Sequence, residues 1–362
     1  MDAMLDLYFD YLICSTSYTT ATGLSRVTGN IISHDKVTRF LSSRDFVASD
    51  LWTISKPFYK SIASNDGVLI IDDTIEEKPF TDENEIICWH FDHTKKRSVK
   101  GINFVSALYK TEAGSMPIGY ELVKKTENFI DPKTDKPRRK SPISKQEHYR
   151  CLLKNAVKNN VNFQYVLNDV WFSSVENMMF IKKELNKDFI MPVKINRKVA
   201  LSEEDKASGR FVGIDSLELG ESKLVWLKGL DFPLRLVRQV FKNEDGSTGV
   251  LYLVSSDIEL TSEQIKTIYQ RRWKVETYHQ SLKNNASLAK SPTKTVRTQA
   301  NHLFASLCAY IKLESISIGK KINHFALKQK IYLAAIKTAM DKIKEFCPSC
   351  FYQTENSEFP SA

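Results

Sequence analysis

After the turn signal Asp66-Gly67 the chain runs Val68-Leu-Ile-Ile71, a short continuous apolar stretch. Such a run, bounded by turn residues, marks a buried central strand, which needs a sheet around it. It ends at Asp72-Asp73-Thr74, and further on Phe163-Gln-Tyr-Val-Leu-Asn-Asp169 reads as another strand closing on a carboxylate. Carboxylates at strand ends stand at one edge of a rigid sheet. If the two strands are neighbours, Asp72 and Asp169 sit side by side. Taken singly, each acid is also what a strand-closing turn would use.

The segments around these strands fill in the sheet. Ile102 to Tyr109 and Met116 to Val123 read as strands joined through a turn at Thr111 to Ser115. Between the first strand and this hairpin, Glu76 to Lys100 is a looser polar stretch. Its His90, Asp92 and His93 lack further partners at zinc-ligand spacing. Residues 126–142 read as an exposed loop, whose Arg138-Arg139-Lys140 suits either a phosphate contact or plain solvation. A helix from Ser144 to Asn159, one from Ser174 and a strand around Phe189 to Val193 follow. Residues 197–255 have β character, with glycine turns at Gly229, Gly246 and Gly249, and helices take up most of 261–345. Three strands joined by hairpins and then alternating helices make a mixed α/β sheet with helices against it.

Residues 1–60 read as helical, with Leu5, Tyr8, Phe9 and Leu12 at helical spacing. Thr22 to Gly29 and Ser33 to Leu41 form a helix, a turn and a capped helix. That suits either a helix-turn-helix offering Lys36 and Arg39 to DNA or a helical cap on the next domain. The net charge of +9 favours a polyanionic partner. The longest apolar runs are far too short to cross a bilayer, and Met1 to Asp6 has no basic signal-peptide region, so a reducing cytoplasm is expected. Cys14, Cys88, Cys151 and Cys308 read as reduced core residues; Cys347-Pro-Ser-Cys350 is a lone pair and weak evidence for zinc.

One segment carries concentrated chemistry. From Ser262 to Leu288 there is no Gly or Pro, and Thr261 stands at the start as a cap, so a continuous helix is expected. On it Tyr269, Arg272, Glu276 and Lys283 fall within an arc of about 60°. Glu276 across the sheet edge from Asp72 and Asp169 would complete a three-carboxylate site. Such oxygen ligation suits Mg²⁺ or Mn²⁺, and two ions about 3.5–4 Å apart would serve in-line displacement at phosphorus. His279 on the same helix suits a phosphate contact or an ordinary surface position. Lys294 and Arg297, beyond it, form a basic edge suited to nucleic-acid backbone. No nucleophile elbow, Walker loop or dinucleotide turn is present.

The spacing Tyr269-x₂-Arg272-x₃-Glu276-x₆-Lys283 resembles the Tyr-Arg-Glu-Lys signature of bacterial insertion-sequence DDE transposases. Ile71-Asp72-Asp73-Thr74 and Asn168-Asp169-Val-Trp-Phe resemble that family's first and second aspartate motifs, and the likeness covers about residues 65–310. It implies a ribonuclease-H-like core, a mixed five-stranded sheet flanked by helices, with a β-rich insertion, an N-terminal helical domain and C-terminal helices. The implied division is 1–60, 61–196 for the first part of the core, 197–257 for the insertion, 258–315 for the rest of the core, and 316–362. The resemblance implies Asp72, Asp169 and Glu276 as metal ligands, with Asp73 the alternate to Asp72. Tyr269, Arg272 and Lys283 would contact DNA near the cut. The insertion is similar to that of the cut-and-paste subgroup, in which Trp226 would stack on a base; its apolar strand equally suits a core position. Implied partners are double-stranded DNA, as element terminal repeats and target, and a second copy of the chain in a synaptic complex. A nuclease of the same fold without strand transfer, or a catalytically silent DNA-binding descendant, are the alternatives.

Overall fold

The computed structural model describes residues 3–132, 134–242 and 246–346. Four helices come first: α1 (Ala3–Cys14), α2 (Ala21–Val27), α3 (His34–Ser43) and α4 (Ala48–Ile62). Thr20 and Ser33 cap α2 and α3, each side chain accepting from a backbone N–H three residues on. Next come β1 (Val68–Glu77), β2 (Ile87–Asp92), β3 (Arg97–Thr111), β4 (Gly114–Leu122), and the pair β5 (Glu127–Asp131) and β6 (Lys136–Lys140). Then follow α5 (Lys145–Lys158), β7 (Tyr165–Asn168), α6 (Val175–Met179), β8 (Asp188–Val193), β9 (Lys198–Ala200) and α7 (Glu203–Ala207). The strands β10 (Val212–Gly213), β11 (Ser222–Leu227), β12 (Leu234–Lys242) and β13 (Thr248–Ser255) lead to α8 (Ser262–Gln270), α9 (Lys274–Asn284), α10 (Val296–Lys320) and α11 (His324–Phe346).

The strands β4, β3, β1, β7 and β8 lie in that order, antiparallel from β4 to β1 and parallel from β1 to β8. This is the mixed five-stranded sheet of a ribonuclease-H-like core. The insertion is no separate body: β13 pairs antiparallel with β8, and β12, β11, β9 and β10 continue the same sheet, which has 11 strands among the described residues. Successive residues of β1 feed opposite cores. Val68 and Ile70 pack with α1, α9 and α10, whereas Leu69 and Ile71 pack with α5. The helical start shares the first of these cores, and Tyr8 Oη lies 3.0 Å from His302 Nδ1 on α10. Lys36 and Arg39 are exposed.

Several local expectations give way to pairing. β1 does not end at Asp72-Asp73-Thr74 but runs to Glu77, because β3 stays beside it down to Gly101. The polar stretch before β3 holds β2, in which Trp89 and Phe91 are exposed while His90 is buried. The expected loop at 126–142 is a hairpin, its strands joined by Arg138–Asp131 and Lys140–Glu127 ion pairs. Cys88 and Cys308 are buried, but Cys14 and Cys151 are exposed because they fall on the outer sides of their helices. Cys347 and Cys350 lie outside the described residues. No helix among the described residues is long and apolar enough to cross a membrane.

Candidate active site

Parallel pairing of β1 with β7 sets Ile71 opposite Asn168, so Asp72 and Asp169 emerge next to each other. Burial pushes the Asp72 carboxyl up to about 8, and the neighbouring charges of Asp169 and Asp73 add to it. Asp169 is raised too, chiefly by burial, although the N–H groups of Trp171 and Phe172 donate to its Oδ1. Asp73, the next residue along β1, accepts from Lys145 Nζ at 2.6 Å and Asn103 Nδ2 at 2.8 Å. Its charge is thereby matched. Of the two adjacent acids, Asp72 is the one left facing α9 without a cation in contact.

The segment across the edge is not one continuous helix. A 3₁₀ turn, Arg271–Trp273, separates α8 from α9. At this tightening Arg271 is pinned to the Asp66 carbonyl at 2.7 Å and to Glu112 at 2.8 Å, which anchors the turn on the sheet. The cap is as expected: Thr261 and Gln264 form a capping box. Arg272 stacks its guanidinium over Tyr269 and Trp273 and pairs with Glu276 at 3.0 Å, leaving the Glu276 side chain 51 % exposed. His279 turns inward, its Nδ1 4.0 Å from Asp72 Oδ2. Burial, helped by Lys283, holds its imidazole down at about 3, so it is neutral. Lys283 donates to the Ile75 carbonyl at 2.7 Å. Asp72, Asp73, Asp169, Arg272, Glu276, His279 and Lys283 line one cavity of about 640 Å³.

The sequence model for the transposase DDE domain matches residues 64–312. This chain belongs to the DDE transposase family. No curated protein matches it. The family acts on DNA with divalent metal ions, and the matched span holds the whole cavity.

Not every residue singled out from the transposase sequence reaches that cavity. Tyr269 is buried at 4 % exposure, and its hydroxyl donates to the Asn168 carbonyl at 3.2 Å. It ties α8 to the residue before Asp169 instead of facing solvent. Tyr269→Phe is therefore expected to cost about 1 kcal/mol of stability, read by urea unfolding. Trp226 lies on β11, five strand positions from β1, or about 24 Å at the usual strand spacing. Arg297 pairs with Asp45 at 2.8 Å beside the start of α4, and Lys294 is exposed nearby. Conversely, the cavity contains Lys145, Phe91 and Trp171, to which sequence reading gave no role, and His93, weighed there only as a zinc ligand. Only Trp171 carried a signal, being two residues beyond Asp169. Among the described residues no three His, Cys, Asp or Glu side chains are grouped closely enough to hold a metal ion as they stand.

Proposed function

We propose that this transposase cuts DNA at the ends of its element and joins the freed end to target DNA, moving the element by cut-and-paste. The observation that carries the reading is the adjacency of Asp72 and Asp169 in a cavity that Glu276 also lines. Two buried carboxylates of like charge form an oxygen-rich site in want of positive charge, which fits Mg²⁺ or Mn²⁺. Asp72, Asp169 and Glu276 would hold it, probed as one ion or two. When bound, such ions offset charge on the reacting phosphoryl group and favour the deprotonated form of the attacking oxygen.

The chain's own groups supply position and charge balance. Water attacks a phosphodiester at the element end and its 3′-oxygen leaves as a hydroxyl; that hydroxyl then attacks a second phosphodiester, whose own 3′-oxygen leaves in turn. Arg272, partnered by Glu276, and Lys283, in the same cavity, would meet phosphate oxygens. Neutral His279 adds an uncharged imidazole next to Asp72. Tyr269 acts through the position of Asp169. Two protomers, one on each element end, would make up the synaptic complex.

The test is incubation of the full chain with a labelled element-end duplex and a target plasmid, with and without Mn²⁺. Metal-dependent nicks and joined products are expected. Cleavage with no joining, even from an oligonucleotide bearing a free 3′-hydroxyl, would reduce the protein to a nuclease. End binding with no cleavage in either metal would reduce it to a DNA-binding protein.

A further inference from the structure

The reaction scheme leaves unused a pair of lysines at the far end of α9. Lys328, on α11, is only 5 % exposed, and its ammonium donates to the carbonyls of Asn284 at 2.9 Å and Asn285 at 3.1 Å. Lys290, in the turn after α9, donates to the Ser15 carbonyl at 2.9 Å, the same oxygen that receives the Tyr332 hydroxyl at 3.0 Å. The Tyr332 ring centroid is also 5.5 Å from Lys328 Nζ, so one side chain links the two ammonium groups. Both lysines line a recess of about 380 Å³, which shares no residue with the carboxylate cavity.

A lysine buried this deeply is ordinarily paired with a carboxylate. Here, among the described residues, both ammonium groups donate to backbone carbonyls alone. Burial pushes Lys328 down to about 8, and the charge of Lys290 adds to it, so Lys328 is still protonated at neutral pH. The Cys14 thiol could offset that charge, but burial and Asp10 hold the thiol up, in its neutral form. The carbonyl end of α9 supplies roughly half a negative charge, which leaves roughly one and a half positive charges unmatched. An ammonium has three N–H donors; Lys290 uses one and Lys328 two, so both keep a donor for the oxygens of a phosphate. Asn284 is eight residues along α9 from Glu276, or about 12 Å at the usual rise. A phosphate held here is therefore not the one being cut.

We propose that this recess is a second, non-catalytic phosphate site, in which Lys290 and Lys328 together hold one phosphate group where α1, α9 and α11 meet. The group is either a backbone phosphate of bound DNA or a free phosphate. Its two holders are fixed to Ser15 on one side and to Asn284 and Asn285 on the other. A bound phosphate thus ties the N-terminal helices to the helix that carries Glu276. The site does not depend on how the carboxylate cavity is read.

The test uses the full chain without divalent metal. Inorganic phosphate at ten times its dissociation constant, against chloride at equal ionic strength, is expected to raise the wild-type melting temperature by about 2 °C. Lys290→Met keeps the stem, removes the charge and should lose that gain; Lys328→Met should do the same, and Lys290→Arg should keep it. The readout is the difference between the two salts within each protein, so a lower starting stability does not mask it. The second measurement is the salt dependence of binding to a duplex of arbitrary sequence. If a DNA phosphate fills the recess, the slope of log K against log salt should drop by about 1 in Lys290→Met. If free phosphate fills it, the slope stays and only the thermal gain is lost. No difference between wild type and Lys290→Met in either measurement overturns the site.

Discussion

Asp72→Asn is expected to lower DNA cleavage by about 10³-fold or more in Mg²⁺ or Mn²⁺ while leaving DNA binding intact, and Glu276→Gln should do the same. Each change keeps the side chain's size and removes the charge that a cation would meet. Asp73→Asn should be far milder for cleavage, because that carboxylate, in the same cavity, is already occupied by Lys145 and Asn103. Asp72→Asn also has a stability signature that does not depend on activity. Burial and two like charges raise Asp72 from 3.8 to about 8. Between those values the native protein keeps a proton that the unfolded chain has lost. Without divalent metal, stability should therefore be full below pH 4 and fall as pH rises towards 8. Asp72→Asn removes that slope. At pH 8 without metal it should melt several degrees above wild type, an effect on the order of 2 kcal/mol. Adding Mn²⁺ should raise wild type and do little for the variant. Full cleavage by Asp72→Asn together with none by Asp73→Asn would exchange the roles of the two acids.

Glu314→Ala should give the largest loss of fold stability, about 3–5 kcal/mol, read as a lower urea midpoint. Glu314 on α10 accepts from the backbone N–H and hydroxyl of Ser115 at the start of β4, both at 2.9 Å. Its other oxygen lies 2.6 Å from His324 Nε2 on α11, and His324 Nδ1 lies 2.7 Å from Ser281 Oγ on α9. Burial alone pushes Glu314 up, but the His324 bond, the charges of Lys274 and His324, and the Ser115 bond together hold it below the usual carboxylate range. Truncating it strands those donors in a dry interior. Ser281, His324 and Glu314 have the spacing of a nucleophile, base and acid, yet they are only 2 %, 6 % and 5 % exposed. No substrate reaches them. They join the helix bearing Glu276 to β4, α10 and α11, so the variant should also weaken cleavage through loss of positioning.

What was legible in the chain was mainly what neighbouring residues decide. Ser144, Ser174 and Thr261 each cap a helix by accepting from the N–H three positions on, as their place before the helical runs suggests. The apolar runs before Asp72 and Asp169 are strands, and the Thr111 to Ser115 turn joins β3 to β4. The signature spacing named the family, and the match over 64–312 agrees.

Sequence alone thus determined the kind and order of most elements, because caps, turns and periodicity act within a few residues. Only tertiary structure decided that β1 runs on past its acids, that the insertion joins the main sheet through β13 and β8, and that Trp226 is carried away from the carboxylates. It also brought Lys145 to Asp73, drew Tyr269 inward and set Trp171 at the rim. The reason is physical. A strand's hydrogen bonds and a buried charge's partners are supplied by residues far away in the chain, such as Lys145 for Asp73 at a separation of 72 positions. Nothing in the local pattern fixes which distant group arrives.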